Sequence, residues 1–533
     1  MRSRPPIVLT GNDLSFSDIT AIGRGKAPVA LDPDALKRCA ASRDFLEKAI
    51  GDKKVIYGVN TSFGPMCNKI IHEDEIEALQ ENLIISHAAG LGDALDPRIT
   101  LGILAVRLNT LAKGYSGVRL DLLHLMKDMI NAGIAPFIPE CGSVGASGDL
   151  IHLAHMSLAP MGKGKVHHKG EWKNAAQALS ETGLSPIRLS FKEGLALING
   201  TAAMTGIAAF ALADAQKLIN LACVSAAFAI EIFGGIDDAF APDLHRLRPH
   251  PGQLAVAHTV KTLYRGTRNL SLRSRIHDQV RVQEDRKTQN QIVYETDITV
   301  QDVYSLRCTP QVLAPVKEAF DAAVATLEIE ANSTNDNPVV LPEKQTIIHG
   351  GNFHGQSIAF AMDSLSMALS TLCNLSERRT NKLFDRNLNL GLPEHLIAGE
   401  PGLTMGFMGA QFLTTSTTAE IRQLAGPMGI HSISCNASNQ DVVSMGTVAA
   451  RKALNITNKA KHVLSLEIMA DLQALNFRHS QGLGRGTGKL FELLNEKFEV
   501  YDNTRIFHED LSSLETRLFS GDLFQDLAPY LED

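Results

Sequence analysis

The sequence predicts a mainly α fold, a long-helix bundle with a smaller α/β N-terminal domain. Three observations carry this. Ala, Leu and Ile dominate a chain with only 5% aromatic residues, a composition that favours helix. Apolar residues recur at helical spacing over four long segments, 205–232, 310–331, 355–381 and 442–476. Long helices joined by short connections pack as bundles. At about 150 residues per domain the length amounts to three or four core-sized units. They are divided here into an N-terminal domain, 1–200, and a helical bundle, 201–533.

The elements follow in order. Asp32-Pro33 is a helix start, an N-cap side chain followed by proline at the first helical position, and the helix runs to Ala49. Residues 55–60 read as a short strand entering a turn-rich loop, Thr61 to Pro65. Helices are expected over 73–89, 99–112 and 120–132, the first stopped by Gly90 and the second by Gly114. A loop rich in Gly and Pro, 136–149, leads into an apolar helix, 150–158. Strands and turns fill 163–193. Long helices then dominate, broken by loops near 234–300, 332–355, 387–404 and 480–488.

Composition excludes several classes. Lys+Arg is 51 against Asp+Glu 58, so there is no cationic excess to neutralise a phosphate backbone, and nucleic acid is not expected as a partner. The seven cysteines are scattered and odd in number, with no CxxC pair. That pattern fits reduced thiols in the cytoplasm rather than a disulfide framework or zinc cluster. The most apolar stretch, 202–236, is interrupted by Asp214, Lys217 and Glu231; it reads as a buried helix, not a membrane span.

The candidate chemistry lies in loops. Gly142-x-x-Gly145-x-x-Gly148 precedes a helix, yet it matches neither dinucleotide nor P-loop spacing, and a tight turn is the plainer reading. Gly482 to Leu490 also departs from the P-loop pattern and reads as a mobile linker. His152/His155 and His349/His354 lack the third and fourth ligands that zinc needs, so no metal site is expected. Polar groups recur where a core would exclude them: Asn199 and Thr201, Gln301 to Arg307, Asn332 to Asn337, and Asn436 to Asp441. Buried, such groups demand partners. Caps absorb some, and the remainder suggests one polar site built from distant segments.

Gly145-Ala146-Ser147-Gly148-Asp149-Leu150 resembles the signature of the histidine and aromatic amino acid ammonia-lyases. Six further blocks resemble that family in its own order: Tyr57 to Thr61, Ile198 to Thr201, Tyr304 to Arg307, Asn335 to Pro338, Gly351 to Gly355, and Asn439 to Asp441. The resemblance implies the non-oxidative elimination of ammonia from an aromatic L-amino acid. It implies an electrophile, 4-methylidene-imidazole-5-one, made by cyclising and dehydrating Ala146-Ser147-Gly148, with no metal and no nucleotide. It also implies catalytic roles for Tyr57 (β-proton base), Ser147, Tyr304 and Asn199. Substrate contacts fall to Gly64, His87, Gln301, Arg307 (carboxylate anchor), Phe353 and Gln440. A homotetramer with shared active sites is implied as well.

Ser86-His87 with Asn439-Gln440-Asp441 resembles tyrosine-specific bacterial members, because Gln440 stands where histidine lyases carry an imidazole-facing Glu. L-Tyrosine, giving trans-p-coumarate, is therefore the expected substrate. Histidine ammonia-lyase activity giving urocanate, and an aminomutase, are the alternatives. A scaffold that had lost the chemistry would be expected to lose Ser147, Tyr57 or Arg307, and all three are present.

Overall fold

The computed structural model describes residues 5–284, 292–293, 295–478, 481–496 and 498–520. Parts of the expected loops at 234–300 and 480–488 lie outside these residues, as does the end of the expected bundle after 520. Helices dominate, and the strands gather in small sheets. The chain forms two compact units that interleave in sequence: 1–213, 322–364 and 427–454, and then 214–321, 365–426 and 455–533. All of residues 1–200 belong to the first unit, and residues 201–533 are divided between the two.

In the first unit, helix ends follow the capping chemistry. Ser15 and Asp18 form a reciprocal capping box on Phe16–Gly23. Asp32 caps Pro33–Gly51 and Asp96 caps Pro97–Ala112, each with proline at the start. Pro97–Ala112 is buried from Ile99 to Ala112. Each of its fully buried Ile, Leu and Val side chains contributes about 1.5–3 kcal/mol. Leu120–Asn131 and Leu150–Leu158 form as the apolar spacing predicts. Strands Lys165–His168 and Glu171–Asn174 form a hairpin, followed by a helix, Ala175–Glu181, within the stretch expected to hold strands and turns.

Residues 55–60 are a turn, not a strand. Gly58 sits at φ 66, and the Asn60 side chain accepts from the Ile56 N–H at 2.8 Å. The β-branched run is apolar because Ile56 and Val59 fill a core with Phe45, Leu46, Ala49 and Val340.

The second unit holds a buried ion pair, Arg379 Nε to Glu467 Oε1 at 2.5 Å. Ser225 donates to Asp471 at 2.9 Å in the same interior. The glycine stretch expected as a mobile linker is instead ordered: Gly484 begins the helix Arg485–Asn495, and its N–H donates to Glu231 at 2.8 Å. A Cβ on Gly486 would press on the Leu263 backbone at 2.9 Å, so that glycine serves close helix packing. The apolar helix Ala202–Ile232 is 78% buried over its most apolar window.

Candidate active site

The first unit brings a cluster of the expected residues together around 142–149. Strand Pro139–Cys141 ends, the chain turns, and helix Leu150–Leu158 begins. Four residues in this turn have positive φ: Gly142 at 141, Gly145 at 72, Ser147 at 53 and Gly148 at 71. For serine that conformation is strained, and strain of this kind collects at functional sites. A Cβ on Gly148 would drive into Gly200, whose Cα would lie 2.7 Å away. Only glycine fits there. Gly148→Ala is expected to misplace the loop and to yield chain retaining the Ser147 hydroxyl, read from the intact mass.

The loop is gripped from several sides. Asp149 N donates to Gly200 O at 2.7 Å, and Gly200 N donates back to Ser147 O at 3.3 Å. Asn199 Nδ2 adds a second donor to Ser147 O at 3.2 Å. Ser444 Oγ donates to Gly145 O at 2.9 Å, and Gly355 N donates to the same oxygen at 3.4 Å. Gln440 Nε2 donates to Ser147 Oγ at 3.0 Å. The Asn199 Oδ1 atom is buried and finds no hydrogen-bond partner.

Beneath the loop lies a support that sequence reasoning missed. Asp149 is fully buried and receives Met204 N at 2.8 Å, Ser143 Oγ at 3.1 Å and the Thr447 hydroxyl. Burial pushes its carboxyl up to about 6 despite those donors. Arg107, 1% exposed, donates to Asn199 O at 2.8 Å, to Ala196 O and to Asn335 Oδ1 at 2.9 Å. It therefore fixes the carbonyls leading into Asn199-Gly200. Lys192 and Asp336 pair at 2.6 Å, both buried. The available signal was Arg107-x-Asn109 inside an otherwise apolar helix, since a buried cation requires built partners.

Tyr57 stands in the turn beside this region. Its hydroxyl accepts from Gly64 N at 3.0 Å, and its ring meets Phe63 edge-on at 6.4 Å. Burial raises the phenol above its ordinary value near 10, with the Gly64 N–H pulling the other way. A Cβ on Gly64 would meet Asn436 Nδ2 at 2.9 Å, so the Tyr57 turn and the 435–440 segment are neighbours. His87 ends the helix Ile76–His87, its Nδ1 bonded to Leu83 O at 2.9 Å. A carbonyl only accepts, so Nδ1 carries the proton and Nε2 is left as an acceptor. Phe353 is half-buried in the Gly351–Gly355 turn, next to the Gly355 that bonds the loop. The His152/His155 pair does other work: His155 Nε2 accepts from Gly90 N at 3.0 Å, and His152 Nε2 bonds Glu140 O at 3.2 Å. Among the described residues no three His, Cys, Asp or Glu side chains gather as a metal-ligand set.

Gln301, Tyr304 and Arg307 belong to the second unit. There Gln301 and Arg307 line a cavity of about 530 Å³ together with Asp238, Arg273 and Asp302. Arg307 Nε donates to Asp302 O at 2.8 Å, and the guanidinium lies 4.6 Å from the centre of the Tyr304 ring. The Arg307 fork is thus aimed by its own helical turn, Tyr304–Arg307.

A strained Ala-Ser-Gly turn with donors on the serine carbonyl and hydroxyl, and a half-buried tyrosine in the same unit, defines the class: an ammonia-lyase acting on aromatic or histidine-type amino acids. The aromatic amino acid lyase family model matches residues 14–496, and the chain belongs to that methylidene-imidazolone-dependent family. It is 39% identical over 521 residues to a histidine ammonia-lyase of Alkaliphilus metalliredigens, covering 98% of each chain. The tyrosine aminomutase of Streptomyces globisporus superposes with a TM-score of 0.94 at 35% identity, covering 99% of each chain. A histidine ammonia-lyase from Trypanosoma cruzi superposes at 0.88 with 31% identity, covering 99% of this chain and 96% of its own.

These relatives overturn the expectation of a tyrosine lyase. That expectation leaned on Gln440 as a reporter of the substrate ring. In the unprocessed chain the Gln440 amide donates to Ser147 Oγ at 3.0 Å. The residues present fit the family's prosthetic group. Ser147 carries the hydroxyl to be lost, Gly148 lacks the Cβ that would bar the turn, and the Asn199 amide already faces the Ser147 carbonyl.

Proposed function

We propose that this protein eliminates ammonia from L-histidine to give urocanate, using a methylidene-imidazolone formed from Ala146-Ser147-Gly148. The observation that carries the reading is the left-handed Ser147-Gly148 turn, hydrogen-bonded on both serine oxygens, in a chain similar over its whole length to histidine ammonia-lyases. The β-hydrogen of an amino acid is barely acidic and ammonium leaves poorly. The methylidene-imidazolone supplies an electrophilic carbon that turns the departing ammonia into a workable leaving group.

The remaining work falls to side chains. Arg307 binds the substrate carboxylate through its planar fork, a bidentate task suited to guanidinium. Tyr57 Oη takes the β-proton, with the Gly64 N–H stabilising the phenolate that must form first. His87 Nε2 accepts the N–H of the substrate imidazole, since its Nδ1 proton is committed to Leu83 O. Asn199 holds the carbonyl of residue 147. Tyr304 and Gln301 flank Arg307, and Phe353 packs by the loop. Exposed apolar side chains such as Phe412 (68%), Leu403 (81%) and Ile433 (69%) call for cover. A homotetramer in which neighbouring copies complete each site supplies that cover. We place the enzyme in the cytoplasm, where free thiols such as Cys67 and Cys141 stay reduced.

The structural likeness to a tyrosine aminomutase supports a second reading, in which the acrylate is held and ammonia is re-added at Cβ. One assay separates them: L-histidine, L-tyrosine and L-phenylalanine are supplied side by side and the products identified. Urocanate with equimolar ammonia, formed fastest, is the expected result; a β-amino acid favours the mutase. Arg307→Lys is expected to lower catalytic efficiency mainly through KM. Losing one charged hydrogen bond and the Tyr304 stack costs about 1.5–3 kcal/mol, roughly ten- to a hundredfold. Unchanged KM would show that another residue holds the carboxylate.

A further inference from the structure

The methylidene-imidazolone has to be made before it can act, and its last step is loss of water from Ser147. The Cα–H and Cβ–Oγ bonds break, and the Cα–H electron pair becomes the Cα=Cβ bond. Hydroxide leaves and joins the released proton as water, so the step is redox-neutral. It has two costs: acidifying Cα–H and stabilising the departing oxygen. Both are met by donors already in the unprocessed chain. Asn199 Nδ2 and Gly200 N lie 3.2 and 3.3 Å from Ser147 O, drawing electron density from the carbonyl adjacent to Cα. Gln440 Nε2 lies 3.0 Å from the oxygen that leaves.

The placement of Gln440 is built rather than incidental. Asn436, Ala437 and Ser438 run consecutively at φ 53, 52 and 60, an unusual left-handed sequence of non-glycine residues. This reversal lets Cys435 and Gln440 pair antiparallel, with Cys435 N donating to Gln440 O at 3.0 Å and Gln440 N to Cys435 O at 3.3 Å. The Cys435 thiol then donates to Gln440 Oε1 at 3.4 Å. With its oxygen engaged by a donor, the amide turns its NH₂ toward Ser147. A carbonyl oxygen facing the hydroxyl would accept from it and hinder its departure.

We propose that Gln440 is a catalytic residue of cofactor maturation, donating to Ser147 Oγ as the hydroxyl leaves, with Cys435 as the positioning residue that orients its amide. The inference rests on the methylidene-imidazolone reading above.

The test follows the intact mass of newly synthesised full-length chain over time, for wild type, Gln440→Met and Cys435→Ala. Methionine matches glutamine in length and lacks the donor. Wild type is expected to end two water molecules lighter than its encoded mass. Gln440→Met is expected to accumulate chain that retains the Ser147 water and to complete its loss about tenfold more slowly or worse, equivalent to one lost hydrogen bond of ~1.4 kcal/mol. Cys435→Ala leaves the amide in place but free to turn, and slows the step less, in the same direction. Melting by circular dichroism checks that each variant is folded; if Gln440→Met is not, Cys435→Ala decides. Maturation at the wild-type rate in the folded variants overturns the role of Gln440. A wild type at its encoded mass overturns the methylidene-imidazolone reading itself, and this inference with it.

Discussion

Ser147→Ala is expected to fold and to lose turnover by about a thousandfold or more, a barrier increase of ~4 kcal/mol or more. The substitution removes one hydroxyl from a half-buried position and leaves the turn's glycines untouched. Relative to the unprocessed wild-type chain, its structural cost is a single hydrogen bond, from Gln440 Nε2 to Oγ, about 1 kcal/mol. Alanine tolerates φ 53 no worse than serine, so the melting temperature moves little. The catalytic cost is large because, without the hydroxyl, no methylidene can form and ammonia keeps its poor leaving ability. Purified variant compared with wild type by initial rates and thermal melting decides the matter; near-normal rates would remove Ser147 from the chemistry.

Tyr57→Phe ranks next, with an expected fall in kcat of about 10²–10⁴-fold, the range for loss of a positioned general base. The phenol accepts from Gly64 N at 3.0 Å, and its removal leaves that N–H short of a partner, a modest destabilisation. The pH profile carries the sharper signature. Burial raises the Tyr57 phenol above its ordinary value, so the active phenolate is the minor form at neutral pH. Wild-type kcat/KM should climb with pH between about 7 and about 10, and Tyr57→Phe should lose that climb. A wild-type rate falling over that range would exclude Tyr57 as the base.

Asp149 gives a stability counterpart. Its carboxyl is raised from 3.8 to about 6 by burial, so the folded state holds a proton that the unfolded chain has already released. Its contribution is fully present below about pH 4 and is lost as the pH rises through about 6.

Much of the fold was legible because local chemistry and packing agreed. Asp32-Pro33 and Asp96-Pro97 start helices where a cap followed by proline should, and Leu150–Leu158 matches its apolar run. The failures have physical causes. Residues 55–60 looked like a strand because Ile56 and Val59 are apolar, but they face a core from a turn that Gly58 permits. Gly482 to Gly488 looked flexible because glycine loosens an isolated chain. Here Gly486 lets one helix approach the Leu263 backbone. Within the candidate site, the Ala146-Ser147-Gly148 turn, Tyr57 and Asn199 could be named from their motifs. Arg107 and Asp149 could not be given a role, since what they hold is set by residues scattered from Ser143 to Thr447. Substrate choice was the least legible. It was read from Ser86-His87 and from Gln440, whose amide donates to the serine hydroxyl in the unprocessed chain.

The most direct measurement is the mass of the wild-type proteolytic fragment that spans Ala146 to Gly148, taken from protein shown to turn over L-histidine. The expected result is a fragment two water molecules lighter than its sequence, with the loss confined to those three residues. A fragment at its encoded mass, from enzyme that still forms urocanate, would contradict it.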